Sequence, residues 1–512
     1  MKYIIFFIFL LLSLTGCGSS GDKIGNKAEQ ISDPTIQSQT QSISTLASTT
    51  SDTTLDTKKK EEISLKQEES SKVITIYIHG FDPKGYKREG IYGNDDYLEE
   101  NAKVANFMGF STMYEESNSD IGNNLLLSTP YYGNKTPDYY TDQDIKDIEN
   151  IGVGIPRYAL IVAKYAKHAM EINNAQRVNF LSVSMGSLVT RYLIEKNLEN
   201  MASNKQIKKW LSIEGVIRGN YAASNKNLVK LVDLFEKQSP DVEHMSYQWI
   251  EANLGDPAIG NSPYYKDIII GFETSTKDNA LDGILSAWLL LNDKFRPNDG
   301  YQVARDTYFK IDDIDKRFNL LEPTHTYFHD NHIDLANNKS AWVEAVSFLT
   351  SKKRVKITLT KATINDIHED KSKIKIMGIT AGSHDFRPAE VVFSSSIVSP
   401  KINDLWSVET PIDERALSGG ALPIHKYQSN GETKIVNQEL FNDFIVSSED
   451  ILKLNLNAYE IDQYLKYNMY ELTGKKTENL GAGTINLPIK NGTYQLSTED
   501  WNAEIKVEVF EY

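Results

Sequence analysis

The sequence is poor in cysteine and in basic residues, and each shortage excludes a class of protein. Cys17 is the single cysteine in 512 residues, so no disulfide can form within the chain. The 55 lysines and arginines are outnumbered by 70 aspartates and glutamates, which gives a formal net charge of -15. Because nucleic-acid binding depends on clustered basic side chains, we expect no nucleic-acid partner.

The N-terminus carries an apolar run that is followed by the cysteine. The segment MKYIIFFIFLLLSLTGCGSSG has one early lysine, and its run is short for a membrane span but typical of a secretory signal. Its LTGC at residues 14–17 resembles a bacterial lipobox. The resemblance implies a lipoprotein signal peptide at residues 1–16 and lipidation of Cys17, which would anchor the protein in the bacterial cell envelope, at the outer membrane or cell surface. The alternatives are an uncleaved anchor and a chance cysteine.

Residues 17–71 are dominated by Ser, Thr, Gln, Asp and Lys. The stretch TIQSQTQSISTLASTTSDTTLDT has no aromatic residue and no lasting hydrophobic period. Such a segment cannot bury enough apolar surface to offset the entropy that it would lose on ordering. We therefore expect residues 17–71 to be a lipidated, disordered tether.

Two patterns of secondary structure follow the tether. Between residues 72 and 350, β-prone runs such as VITIYI and RVNFL alternate with stretches of helical periodicity such as residues 156–172. This alternation predicts an α/β domain with a mostly parallel sheet covered by helices on both faces. From residue 352 to 512, runs such as RVKITLTKATI and AEVVFSSSIV are separated by turn signals and little helix. They predict an all-β sandwich, an accessory domain whose ligand the sequence does not indicate.

The segment RVNFLSVSMGSLVTRYLIE holds three serines, of which only one fits a catalytic nucleophile. A nucleophilic serine needs a base, and a sharp strand-to-helix turn projects its hydroxyl clear of the backbone. That turn requires small residues two positions before and after the serine. Ser184 meets the requirement, with Ser182 before it and Gly186 after it. Ser182 instead follows the large Phe180 by two positions, and Ser187 lies inside the helix.

Four segments resemble bacterial α/β-hydrolase lipases, over roughly residues 73–350. VNFLSVSMGSLVTRYLIE is similar to the turn that carries their nucleophile, although Ser182 stands where their first glycine is usual. IYIHGFDPKGY resembles their His-Gly oxyanion strand. NDG at residues 298–300 and NHID at residues 331–334 resemble the acid and base segments of the true lipases, in the chain order of the fold. The resemblance implies an α/β-hydrolase fold with a catalytic triad of Ser184, Asp299 and His332.

The same resemblance implies an oxyanion hole and leaves some positions open. Backbone N–H groups of Met185 and Phe81 would bind the oxyanion. Other acids and bases compete with the triad assignment, and they are Asp278, Asp282, Asp306, His325 and His329. Related lipases often carry a structural calcium near the base loop, where Asp334 matches one ligand position and Asn338 stands where a glutamine is frequent. No cofactor is expected to be required, and a structural calcium is a further possibility.

The long segment between Glu214 and Asp299 predicts a lid. At about residues 217–297, MSYQWIEANLG and NKNLVKLVDLFEKQ have amphipathic patterns and DGILSAWLLLNDKF is apolar. A lid of this kind covers an apolar cleft in water and opens at a lipid surface. The alternative for this segment is a purely structural insertion. The lipase resemblance, more than the lid, implies hydrolysis of carboxylic esters, above all lipid esters, at a membrane surface. The alternatives are an acyltransferase or thioesterase with the same triad, and a non-catalytic surface-binding lipoprotein.

Overall fold

A computed structural model describes the chain in a series of ranges, and the part from Lys72 to Tyr512 forms one compact unit. Residues 1–71, which include the predicted signal peptide, Cys17 and the tether, lie outside the described residues. The described ranges are 72–81, 111–113, 125–128, 131–132, 136–225, 240–257, 260–277, 298–309, 323–328, 330–335, 338–366, 373–376, 379–382, 388–399, 407–409, 423–445, 449–461 and 477–512.

Seven strands form a parallel sheet in the first part of this unit. They are β1 Val73–Ile78, β2 Ser111–Met113, β3 Leu125–Ser128, β4 Arg177–Val183, β5 Ile207–Ile213, β6 Ile269–Ser275 and β7 Thr324–Phe328. Their order across the sheet is β2-β3-β1-β4-β5-β6-β7. Every neighbouring pair is parallel, so the predicted parallel sheet is confirmed.

The helices connect these strands and pack against the sheet. They are α1 Asp142–Asn150, α2 Ile155–Ile172, α3 Met185–Glu195, α4 Tyr221–Ser224, α5 Pro240–His244, α6 Tyr247–Leu254, α7 His332–Leu335 and α8 Lys339–Thr350. Helix α2 begins after Gly154 with a proline in its first turn, where the missing N–H of proline costs no hydrogen bond. Among the described helices, none combines the length and the apolar character needed to cross a membrane.

The sheet is covered on both faces, as strands with continuous apolar runs require. Side chains that follow one another along a strand point to opposite faces. On β4, Phe180 therefore packs in the core formed with α2 and α3, whereas Leu181 packs in a second core with Trp342 and Phe348 of α8. Strand β4 is central in the sheet, so the turn that follows it stands at the middle of its carboxyl edge.

Strand β6 was not recognised in the sequence, because its residues lie inside the segment predicted as a lid. Ile269–Ser275 pairs with β5 on one side and β7 on the other, so it is an internal strand. Its sequence IIGFETS is nearly all buried. Residues 269–275 therefore belong to the sheet, and a lid within residues 217–297 is restricted to the segments on either side of β6.

The chain beyond residue 352 contributes antiparallel strands, in agreement with the predicted all-β character. The strands are β8 Lys353–Ile364, β9 Lys373–Ile376, β10 Ile379–Gly382, β11 Ala389–Val398, β12 Ser407–Glu409, β13 His425–Tyr427, β14 Glu432–Phe444, β15 Ile451–Ile461, β16 Thr477–Pro488, β17 Gly492–Ser497 and β18 Trp501–Glu511. One sheet has the order β12-β11-β15-β16, with β13 also paired to β11, and the other has the order β14-β8-β18-β17. Their buried side chains share one core, and β9 and β10 form a separate pair.

This β region is joined to the parallel sheet through the end of β14. Phe444 packs edge-on against Phe348 of α8, with ring centroids 5.4 Å apart. The ammonium of the buried Lys209 on β5 lies 4.0 Å from the centre of the Phe444 ring. Beside it, the Thr326 hydroxyl of β7 donates a 2.7 Å hydrogen bond to Asp443. The division into domains at residues 72–350 and 352–512 stays a prediction.

Candidate active site

Ser184 lies at a sharp turn between β4 and α3 and has a strained backbone. Its φ of 53° and ψ of -122° are sparsely populated for a residue with a side chain, and such strain is typical of functional sites. Three backbone hydrogen bonds hold it. The Ser184 N–H donates to Ile213, and the Ser184 carbonyl accepts from Ser187 and Val216. These bonds to β5, to the segment after it and to α3 hold the strained backbone in place, as an exposed nucleophile requires.

Gly186 permits this turn because the start of α3 nearly touches the end of β1. A Cβ atom at residue 186 would lie 2.4 Å from the carbonyl oxygen of Ile78 and 2.5 Å from that of His79. Those atoms belong to the backbone and cannot rotate away. The glycine two positions after Ser184 is thus a steric requirement of the turn.

Ser182 is small enough for the turn, and it also makes buried hydrogen bonds that the sequence did not predict. Its hydroxyl accepts a 2.7 Å hydrogen bond from the indole N–H of Trp210 and donates to the carbonyl of Leu211. All of these groups are buried. A glycine at residue 182 would leave the Trp210 N–H without this acceptor, so the departure from the glycine of the lipase motif is matched by a tryptophan on the adjacent strand.

The three residues of the predicted triad lie in one hydrogen-bonded line. The Nε2 atom of His332 is 3.1 Å from Ser184 Oγ, and its Nδ1 atom is 2.7 Å from Asp299 Oδ2. The other oxygen of Asp299 accepts the backbone N–H groups of Tyr301 and Gln302. One carboxylate oxygen is thereby fixed by the loop, which leaves the second oxygen to orient the imidazole.

Charge dominates the environment of His332. Burial by itself lowers the pKa of this imidazole, but the carboxylates of Asp299 and Glu214 outweigh burial and raise the pKa to about 9. The raised value means that the imidazolium form is strongly stabilised at this position. A base that becomes an imidazolium during reaction gains from the same carboxylates.

Glu214 also lies in the candidate site, although no sequence motif marks it. Its Oε2 atom lies 3.3 Å from His332 Nδ1, and its Oε1 atom accepts a 2.6 Å hydrogen bond from Ser275. Burial and the nearby Asp299 hold the pKa of Glu214 well above its usual range. The available signal was its place directly after β5, since carboxyl ends of parallel strands meet at one edge of the sheet.

The predicted oxyanion residues both lie beside Ser184. Met185 is the first residue of α3, so its N–H is one of the helix N-terminal donors that have no intrahelical partner. A Cβ atom at Gly80 would lie 3.0 Å from Ser184 Cβ, which places the Gly80–Phe81 peptide next to the nucleophile. The site thus brings two segments of backbone to the serine, from β1 and from α3.

Two of the competing residues lie elsewhere and have other partners. His325 is half-buried on β7, where its Nε2 atom is 2.9 Å from the Thr274 hydroxyl, and desolvation lowers its pKa to about 3. Asp306 accepts a 2.6 Å hydrogen bond from the Tyr247 hydroxyl. Neither contacts His332 or Ser184 in the part of the chain that the structure describes. The other competitors, Asp278, Asp282 and His329, lie outside the described residues.

Asn338, one of the two predicted calcium ligands, is the N-cap residue of helix α8. The side-chain oxygen of Asn338 accepts the N–H groups of Ser340 and Ala341 at the start of α8, and its amide donates to Asp330. The side chain of Asn338 is thus engaged in the cap, and its role as a calcium ligand stays a prediction. Asp334 belongs to α7, but its side chain lies outside the described residues, so its role as a ligand stays a prediction.

Comparisons with known proteins find solved structures of low similarity. No family model matches the chain, and no curated protein matches it. A Bacillus licheniformis lipase in its mature form is 12% identical, with a TM-score of 0.32, and the match covers 52% of this chain and 87% of the lipase. Its propeptide form is 9% identical, with a TM-score of 0.34 and coverage of 86% and 96%. Phospholipase PlaB from Legionella pneumophila is 10% identical, with a TM-score of 0.32 and coverage of 76% and 86%. Matches at these identities and TM-scores do not assign this chain to a family.

Proposed function

We propose that this protein is a serine hydrolase that cleaves carboxylic esters. The observation that carries the proposal is the line from Asp299 through His332 to Ser184, with contacts of 2.7 Å and 3.1 Å. The strained turn at Ser184 and the burial of Asp299 support it, because a nucleophile must be exposed and its acid partner must be fixed. The chemistry needs only side chains and water, so no cofactor is proposed.

The reaction proceeds through an acyl-enzyme. Ser184 Oγ attacks the ester carbonyl carbon while its proton passes to His332 Nε2. The proton then moves from His332 to the leaving alkoxide, which departs as an alcohol. Water attacks the acyl-serine with His332 again as base, and the acid product leaves. Throughout, Asp299 holds Nδ1 protonated and stabilises the imidazolium.

The tetrahedral intermediate carries a negative oxygen that must be stabilised. The proposed donors are the backbone N–H groups of Met185 and Phe81. The first lies at the N-terminus of α3, where the helix dipole also favours negative charge. Because both donors belong to the main chain, the identity of the side chains at residues 81 and 185 is expected to matter less than that of the triad.

Lipid esters are the proposed substrate class, with action at a membrane surface. The apolar and amphipathic segments within residues 217–297 support a lid, and the lipobox-like sequence before Cys17 supports anchoring by a lipidated cysteine. The location proposed is the bacterial cell envelope, with the protein at the outer membrane or cell surface. The all-β sandwich predicted for residues 352–512 is proposed to be an accessory domain.

Hydrolysis of p-nitrophenyl esters of graded chain length tests this function. The protein and its Ser184→Ala variant are compared on acetate, butyrate, octanoate and palmitate esters. The proposal expects hydrolysis by the wild type, a preference for the longer chains, and loss of the activity in the variant. Equal rates for the two proteins would contradict the nucleophile, whereas a preference for acetate would contradict the lipid substrate alone.

A further inference from the structure

The Tyr131 hydroxyl contacts the backbone that leads to the proposed oxyanion donor. It donates to the carbonyl oxygens of His79 and Gly80, at distances of 2.7 Å and 2.9 Å. The Gly80 carbonyl also lies 2.8 Å from Nδ1 of His79. Tyr131 follows strand β3, so this contact crosses from one strand end to the next at the carboxyl edge of the sheet.

The tyrosine ring is itself held firmly. Tyr131 is completely buried, and its ring stacks on the His79 ring with a centroid distance of 4.1 Å and an interplanar angle of 9°. Tyr158 of α2 packs on it with ring centroids 4.9 Å apart. A side chain fixed on two sides delivers its hydroxyl to one place, as a preorganised site requires.

Peptide geometry connects this contact to the oxyanion. In a trans peptide the carbonyl oxygen and the following N–H point in opposite directions. The Gly80 carbonyl is drawn toward Tyr131, so the N–H of Phe81 points away from Tyr131. Glycine has few steric restraints on its backbone, and a Gly80 peptide without a fixed carbonyl could rotate beside Ser184.

We propose that Tyr131 is a positioning residue, whose hydroxyl fixes the His79–Gly80–Phe81 backbone so that the Phe81 N–H is aimed at the oxyanion. This inference rests on the proposed ester hydrolase function. Oxyanion donors act because they are in place before charge develops. Loss of a donor lowers kcat by about 10²–10³-fold. Tyr131 acts through the backbone, so we expect a smaller loss, of about 10–100-fold, with little change in KM.

The neighbouring Tyr132 supplies a matched control. It is equally buried, its ring lies 4.9 Å from that of Tyr131, and its hydroxyl donates a 2.8 Å hydrogen bond to Asp241. Tyr131→Phe and Tyr132→Phe each remove one oxygen atom and keep the ring. Tyr131→Phe loses the contacts to the His79 and Gly80 carbonyls, whereas Tyr132→Phe loses the bond to Asp241 and leaves the oxyanion backbone intact.

The experiment compares kcat and KM for p-nitrophenyl butyrate in the wild type and the two variants. Melting temperatures are measured in parallel, and the assays run well below the lowest of them. A trifluoromethyl ketone, which forms a tetrahedral adduct with the serine, gives a second readout through its inhibition constant. The inference predicts that Tyr131→Phe lowers kcat about 10–100-fold and weakens ketone binding, whereas Tyr132→Phe leaves both near the wild-type value.

Three results would overturn the inference, and the third also ends the proposed function. If Tyr131→Phe keeps the wild-type kcat and inhibition constant, or if both variants lose activity equally and in step with melting temperature, the hydroxyl has only a structural role. If the wild type itself shows no hydrolysis that depends on Ser184, the proposed function fails and the role of Tyr131 fails with it.

Discussion

The Glu214 carboxylate lies 3.3 Å from Nδ1 of His332, the ring nitrogen that Asp299 contacts at 2.7 Å. Two buried carboxylates thus face one side of a single imidazole. Asp299 is held by its own loop and Glu214 by the hydroxyl of Ser275, so the two acids have independent supports. In the proposed hydrolase, Nδ1 of His332 therefore has Asp299 as its closer acid partner and Glu214 as a second carboxylate nearby.

Glu214→Gln is expected to move the acid limb of the pH–activity profile to lower pH. Only the neutral form of His332 can accept the proton of Ser184, and the charges of Asp299 and Glu214 favour the imidazolium. With the pKa at about 9, activity should rise as pH increases from 7 to 9. Because the pKa of Glu214 is itself raised, its charge acts on His332 mainly toward the upper end of this range. Glu214→Gln removes that charge and lowers the pKa of His332, and kcat/KM measured from pH 5 to 10 gives the limb.

Stability should follow the opposite trend over the same range. The pKa of His332 is raised in the folded protein from 6.5 to about 9, so the protonated form favours folding. This contribution to the free energy of unfolding is fully present below pH 6.5 and is lost as pH rises through about 9.

For the pH–activity profile, an acid limb that Glu214→Gln leaves unmoved would show that Glu214 carries no charge felt by His332.

Asp299→Asn is expected to lower activity less than the same substitution does in a triad that has only one acid. Such a loss costs about 10⁴-fold in kcat when no second acid is present. Because Glu214 reaches the same nitrogen of His332, we expect a loss of about 10²–10³-fold, still well short of that reference value. Steady-state kinetics of the single variants and of Asp299→Asn with Glu214→Gln test this, and the double variant should approach the full loss.

Asp306→Asn is the matched control for this series. Asp306 is also buried, but it binds Tyr247 and lies away from His332. Its replacement should leave the pH profile of activity unchanged in shape. An Asp299→Asn protein with full activity, beside an inactive Asp306→Asn protein, would contradict the assignment of the acid.

The triad could be predicted from the sequence because each member has a local pattern. Ser184 has small residues on both sides, Asp299 lies in a short loop and His332 begins α7, and their order in the chain matches the fold. Glu214 has no such pattern. Glu214 comes close to His332 only when β5, β6 and β7 align in register. This proximity depends on the tertiary structure, and no local sequence motif predicts it.

Ser182→Ala is expected to lower stability and to leave catalysis nearly intact. The substitution removes the acceptor for the buried Trp210 N–H, and an unsatisfied buried donor costs about 1–3 kcal/mol. Ser182 does not contact the triad, so kcat should change little. Thermal unfolding and ester hydrolysis are measured together, and a variant with unchanged stability but lost activity would contradict this structural role.

Gly186→Ala is expected to damage both folding and activity. The added methyl group would lie within 2.5 Å of backbone oxygens at the end of β1, so either the helix or the strand must move. Overpacking of this kind costs about 1–3 kcal/mol. The shift would also displace the Gly80–Phe81 peptide relative to Ser184. Gly431→Ala meets no atom within 4 Å but has a φ of 78°, so it shows the backbone cost of replacing a glycine without a steric clash.

The fold was predictable where hydrophobic patterns were strong and incomplete elsewhere. Strand β1 has a nearly continuous apolar run, and β4 and β5 are almost fully buried although each includes polar residues. Strand β6 has the same character but stands within a long insertion, and β14 has a polar alternation with two register shifts against β8. The contact of Tyr131 with the oxyanion backbone has no sequence signal, because it joins residues about 50 positions apart.

The central claim is that Ser184 forms an acyl-enzyme, and trapping the acyl group tests it most directly. The protein is mixed with p-nitrophenyl acetate, quenched in acid within the first turnover, digested and mapped by peptide mass spectrometry. Ser187→Ala is included because Ser187 lies in the same peptide. The account predicts an acetyl group on Ser184 in the wild type and in Ser187→Ala, and none on that peptide in Ser184→Ala. Acetylation of another residue, or Ser184→Ala turning over ester at the wild-type rate, would contradict it.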